Sequence, residues 1–286
     1  VPSVKIDGLN IAYKLLGPEG APAVAITPGG RFSKDEPGMP QLGEALAKGG
    51  KRVLLWDRPN CGESDLCFEG EAESIMMAEV FAKLIRTLKL GPIALAGGSH
   101  GSRVSLLTAS RNPDLVSHLA LWWISGGNIG LMQLAWVYAG EPSNYVSFGG
   151  MEALANSPGF KENIKMNPNA RAQLLALDPK RFIENMQRWA IAYAPNDISP
   201  VPGMMPKHFA RLNMPTLIFN NGFSDLAHPR ETTDWVHRMI PGSKLVDAPW
   251  PDEEWNHNMT AAFSGKHVDL FQNWPSLAPQ LLDFLK

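Results

Sequence analysis

The sequence predicts an α/β protein with a mostly parallel central sheet, helices on both faces and a helical cap inserted late in the chain. Three observations carry this expectation. Between residues 23 and 125, short apolar runs alternate four times with segments of helical spacing, the rhythm of β-strands joined by crossover helices. From Ser125-Gly126-Gly127 to about Lys207 the rhythm stops, and helical pieces follow one another with no convincing strand. After residue 210 it resumes.

Val4-Lys5-Ile6 and Asn10 to Leu16 read as two strands around an Asp7-Gly8 turn, a hairpin signal. Ala23 to Ile26 is a continuous apolar run, as suits a strand buried on both faces, and it ends at Thr27-Pro28-Gly29-Gly30. Leu42, Ala45 and Leu46 give a helix closed by Gly49-Gly50, and Val53 to Trp56 gives the next strand. Met77, Val80, Phe81, Leu84, Ile85 and Leu88 mark an amphipathic helix within 71–90. Strands follow at Ile93 to Ala96 and Leu119 to Ile124, with a helix between them. Within the break, Arg171 to Leu177 and Pro179 to Tyr193 are helical. Pro215 to Asn220, Glu231 to Ile240, Lys244 to Asp247 and Ser276 to Leu285 then read as strand, helix, strand and helix. Residues 1–125 and 208–286 are thus expected to form the core, and 126–207 the cap.

Composition narrows the function classes. Twenty-six Lys plus Arg against 28 Asp plus Glu leave a net charge of -2, no electrostatic case for nucleic acid or an anionic membrane. No apolar stretch approaches a membrane span. The two cysteines, Cys61 and Cys67, have no partner pattern for a metal and read as free thiols in a cytoplasmic protein. The expected partner is a small-molecule substrate, with no cofactor and no metal, acted on by a monomer or homodimer.

The chemistry centres on Gly97-Gly98-Ser99-His100-Gly101, a G-x-S-x-G motif between a strand and a helix. The turn that lifts the serine hydroxyl out of the sheet is so sharp that its neighbours two residues away must be glycine. It also aims the amide of His100 into the same space.

Around this motif the chain resembles the α/β-hydrolase fold superfamily. Pro28-Gly29-Gly30 falls where that family has a His-Gly-x loop. Asp57-Arg58-Pro59-Asn60-Cys61-Gly62-Glu63-Ser64 is similar to its Asp-Arg-x-Gly-x-Gly-x-Ser turn, and Asn221-Gly222-Phe223-Ser224-Asp225 to its acid-bearing loop. His267, followed by Pro275 and Phe284-Leu285, keeps the family's spacing from histidine to terminal helix. The resemblance implies a Ser99, Asp225, His267 triad, with the amides of Gly30 and His100 as the oxyanion hole. Pro28 replaces the usual histidine, so ring rigidity is expected to brace this loop. His257, inside a long 249–266 insertion, is a rival base. His118, His208, His228 and His237 read as ordinary surface or boundary residues.

Arg31, Trp122, Trp123, Trp136 and Trp189 are candidates for an apolar pocket that accepts a bulky or aromatic group. The expected activity is hydrolysis of a carboxylic ester or lactone through an acyl-enzyme. Three alternatives share the elbow. They are carbon–carbon bond hydrolysis of a ring-cleavage product, an aminopeptidase of the proline iminopeptidase kind, and a cofactor-free dioxygenase. A non-catalytic small-molecule receptor is disfavoured, having little need of all three triad groups.

Overall fold

The computed structural model describes residues 1–223 and 225–286. Eight strands form one sheet in the order β1-β2-β4-β3-β5-β6-β7-β8. They are β1 (Ser3–Ile6), β2 (Leu9–Leu16), β3 (Ala23–Thr27), β4 (Arg52–Trp56), β5 (Ile93–Gly98), β6 (Val116–Trp122), β7 (Thr216–Phe219) and β8 (Lys244–Val246). β1 and β2 pair antiparallel, as does β2 with β4; every later pairing is parallel. The hairpin turns through Asp7 and Gly8, both at positive φ (48° and 89°), the backbone that a two-residue turn between twisted strands requires.

The helices are α1 (Met39–Lys48), α2 (Glu73–Thr87), α3 (His100–Arg111), α4 (Asn128–Ala135), α5 (Glu141–Ala155), α6 (Pro158–Met166), α7 (Ala170–Leu175), α8 (Pro179–Ile191), α9 (Pro206–Phe209), α10 (Arg230–Met239), α11 (Glu254–Phe263) and α12 (Ala278–Phe284). Each face of the sheet has its own apolar core. Met77, Phe81 and Leu84 of α2, Leu106 and Leu107 of α3, and Val236 of α10 cover one face. Met39, Leu42 and Leu46 of α1, with Trp274, Leu277 and Leu281 at the C-terminus, cover the other. β5, buried along its whole length, lies between β3 and β6. The C-terminal ends of β3, β5, β6 and β7 therefore share one edge, the edge where open parallel sheets bind ligands.

Residues between β6 and β7 hold helices only, α4 to α9, with a π-helical turn at Trp136–Gly140. Side-chain amides tie this segment to the 62–70 stretch. Asn163 donates to the Gly62 carbonyl (2.8 Å), Asn167 to that of Ser64 (2.9 Å) and Asn185 to that of Phe68 (2.7 Å). Phe68 packs among Phe160, Phe182 and Trp189. Trp189, expected in a pocket, is instead fully buried here, its indole N–H directed at the Gly70 carbonyl (3.3 Å). The 249–266 insertion contains α11, a helix that its weakly amphipathic sequence did not announce. No helix among the described residues is long and apolar enough to cross a membrane.

Candidate active site

Ser99 sits at φ 55°, ψ −120°, a strained conformation held from both sides of the elbow. A Cβ on Gly97 would come within 2.6 Å of the Gly101 backbone, and one on Gly101 within 2.1 Å of the Thr27 carbonyl oxygen. Only glycines let these segments approach so closely. The Ser99 amide donates to the Trp122 carbonyl (3.1 Å), fixing the elbow to the end of β6.

The imidazole beside Ser99 is that of His228, not His267. His228 Nε2 lies 2.9 Å from Ser99 Oγ, and His228 Nδ1 lies 2.9 Å from Asp225 Oδ2. A carboxylate only accepts, so Nδ1 carries the hydrogen and the Nε2 lone pair faces the serine hydroxyl. Asp225 Oδ1 accepts the backbone amides of Ala227 and His228, both at 2.9 Å. One turn thus presents acid and imidazole three residues apart. Asn221 ties that turn to the sheet edge by donating to the Ile124 carbonyl (3.0 Å), and the Arg230 Nε donates to the Asn221 carbonyl (2.9 Å). Ser224, within the same loop, lies outside the described residues.

His267 has its side chain 88% exposed, its Nε2 on Asp269 Oδ1 at 2.9 Å. His257 is exposed on α11. Both expectations for the base are corrected for one physical reason. The chain after β8 brings an indole to this corner: Trp255 of α11 stands edge-on to the His228 ring, 4.6 Å between centroids. Trp123, held at φ 48°, stacks on the same ring at 5.8 Å and 20°. The reading of His228 as an ordinary boundary residue overlooked the spacing Asp225-x-x-His228-Pro229. An Asp whose carboxylate closes a turn onto the amide three residues on brings that residue's side chain back beside it.

Behind the elbow, Arg58 Nη2 donates to the carbonyls of Gly29 (3.0 Å) and Phe32 (3.1 Å). The Lys34 amide and ammonium both donate to Asp57 (2.7 and 3.0 Å). The loop after β3 is therefore braced by buried charge from the 57–64 turn. His100 completes the brace. Its Nδ1–H donates to the Gly30 carbonyl (3.3 Å), leaving Nε2 to accept from Ser74 Oγ (3.0 Å), which in turn accepts from Arg103 (3.2 Å). That pattern needs a neutral ring. Burial, with Arg103, Arg58 and Arg31 nearby, holds His100 well below the usual imidazole range. The His100 amide opens α3, so it lacks an acceptor within the helix and sits at the positive end of its dipole.

Of the other expected pocket residues, Arg31 is paired with buried Glu73 (3.1 Å) and also donates to the Tyr138 carbonyl (3.3 Å). Trp122 is core, edge-on to Trp274 at 5.0 Å. Trp136 does face open space, 53% exposed. It lines a groove of about 800 Å³ with Met132, Val137, Ala227, Trp255, Met259 and Phe263, between α4 and α11. Cys61 and Cys67 are free, and burial pushes the Cys61 thiol up to about 12.

Sheet order, elbow and loop positions are those of the alpha/beta hydrolase fold. The family model described as alpha/beta hydrolase fold matches residues 27–136. The chain is similar to the human serine hydrolase BPHL, at 25% identity over 95% of this chain and 84% of that protein. Among solved structures it is similar to the enol-lactonase from Burkholderia xenovorans LB400, with 18% identity, 99% of both chains covered and a TM-score of 0.63. It is also similar to Est816, described as an N-acyl homoserine lactone degrading enzyme, with 15% identity, 92% and 99% covered and a TM-score of 0.57. At these identities the solved structures speak to the fold.

Proposed function

We propose that this chain is a serine hydrolase that cleaves a carboxylic ester or lactone of an apolar small molecule through an acyl-enzyme, with residues 126–207 serving as a cap. One observation carries the reading: the unbroken series Asp225 Oδ2, His228 Nδ1, His228 Nε2, Ser99 Oγ, with both hydrogen-bond gaps 2.9 Å. A serine hydroxyl is a weak nucleophile until an adjacent base takes its proton. His228 takes it as Ser99 Oγ bonds to the carbonyl carbon, and Asp225 fixes the tautomer and stabilises the resulting imidazolium. The amides of Gly30 and His100 receive the developing oxyanion. The imidazolium then returns the proton to the leaving oxygen, freeing an alcohol. Water, deprotonated by His228, releases the acid and restores Ser99.

The test is hydrolysis of p-nitrophenyl butyrate by the wild-type chain and by Ser99→Ala, His228→Ala, His267→Ala and His257→Ala. Activity abolished in the first two variants and retained in the last two is the expected outcome. An inactive His267→Ala beside an active His228→Ala would refute the assignment of the base. A wild type inert to esters would refute the reaction class.

A further inference from the structure

The groove beside the acid–imidazole turn has a side, and that side gives the ester a direction. This rests on the serine-hydrolase reading. In acyl transfer, the base that takes the serine's proton hands it to the leaving oxygen. The leaving group must therefore lie beside His228 Nε2, while the oxyanion turns toward the amides of Gly30 and His100. The acyl substituent takes the direction that remains.

The groove opens on the His228 side. Ala227 precedes His228 in the chain, and Trp255, whose ring meets the imidazole edge-on at 4.6 Å, forms its inner wall. Among the described residues that line it none is ionisable, and none belongs to the 28–34 loop. Its outer residues are bare: Met132 is 52% exposed and Phe263 91%. On the loop side, space around Ser99 is short. A Cβ on Gly29 would stand 3.1 Å from Ser99 Cβ and 3.6 Å from the Phe271 ring. Phe32 meets that ring edge-on at 5.3 Å and packs over Gly30.

We propose that the groove receives the alcohol portion of the substrate, so that the substrate is an ester joining a small acyl group to a bulky, uncharged, apolar alcohol. In acylation the Ser99 Oγ–C bond forms, the C–O bond to the alcohol breaks, and the proton from His228 Nε2 caps the departing oxygen. The bare Met132, Trp136 and Phe263 of the rim are covered by that alcohol while it is bound. About 800 Å³ is ample for a chain of eight carbons or a two-ring alcohol.

Isomeric esters test this at matched hydrophobicity. Octyl acetate and methyl nonanoate have the same atoms and differ only in which side of the carboxyl group holds the chain. With hydrolysis followed by pH-stat on the full chain, kcat/KM should rise along the alkyl acetates by up to about fourfold per methylene. Octyl acetate should exceed methyl nonanoate by at least about 100-fold, since several methylenes are then covered only on the alcohol side. Val137→Asp, at a half-exposed rim position, should cut that ratio at least about tenfold by placing a carboxylate against the chain. Methyl nonanoate cleaved as well as octyl acetate, or a ratio unmoved by Val137→Asp, overturns the inference. Hydrolysis of p-nitrophenyl butyrate with no preference for octyl acetate overturns it alone. No hydrolysis of any ester removes the reading beneath it as well.

Discussion

Replacing Asp225 with Asn separates what its carboxylate holds from what it does. The Oδ1 atom accepts two backbone amides at 2.9 Å, and an Asn carbonyl oxygen can keep both. The Oδ2 atom accepts the His228 Nδ1–H. An amide NH2 in that place must donate, so the imidazole hydrogen moves to Nε2 and the lone pair facing Ser99 is lost. The expected cost is about 10⁴-fold in kcat, with KM nearly unchanged because Asp225 does not touch substrate. Stability should change by less than about 1 kcal/mol, or roughly 2–4 °C in Tm for a chain of this size. Asp225→Ala is different, since it strands the buried His228 amide, the half-buried Ala227 amide and the ring N–H. At about 1–3 kcal/mol for each unsatisfied group, it should cost about 3–9 kcal/mol as well as activity. The assay pairs p-nitrophenyl butyrate kinetics with thermal melts of both variants. Asp225→Asn within tenfold of wild-type kcat would refute the tautomer argument. Asp225→Asn as unstable as Asp225→Ala would show that the carboxylate serves the turn and not the ring.

Arg58→Met should lower kcat by about 10- to 100-fold with little change in KM, by freeing the Gly29 and Phe32 carbonyls and loosening the oxyanion loop; Arg58→Lys should recover part of the loss in the same steady-state assay. His100 stays neutral in the fold, whereas in the unfolded chain it binds a proton below about pH 6.5. Its depressed pKa therefore costs the native state stability as pH falls below that value, about 1.4 kcal/mol per unit until the native ring titrates. Denaturant melts between pH 7 and 5 should show a shallower decline for His100→Gln. With its thiol pushed up to about 12 by burial, Cys61 should have almost no thiolate at pH 8; thiol titration of the native chain should modify only half-buried Cys67, and Cys61 should react on unfolding.

The sheet was legible because strands buried on both faces leave continuous apolar runs, as Ala23 to Ile26 does, and glycine or proline closes the helices between them, as Gly49-Gly50 does. The elbow was legible because sterics there admit little except glycine on either side of the serine. His228 was not. Its role depends on how a four-residue turn folds back on its own carboxylate, and the spacing of His267 to the terminal helix pointed elsewhere. The partners of Arg31 and Trp189 were hidden for a related reason. Arg31 meets Glu73 across 42 positions, and Trp189 meets Phe68 across more than a hundred, pairings that no local pattern encodes. Nor did the sequence of α11 disclose the indole it carries to the imidazole.

A reaction centre drawn from three strand ends must keep three separate loops in register, and thermal breathing of any one pulls it apart. Here the acid and the imidazole hang from a single turn, so the distance between them is set by four consecutive residues. β8, a three-residue strand at the sheet's edge, can fray without parting the pair. The stretch that follows it supplies no group to the proton path; it sets Trp255 against the imidazole and α11 along the groove, so a change in α11 beyond Trp255 alters which molecules reach the serine while the proton path stays within one turn.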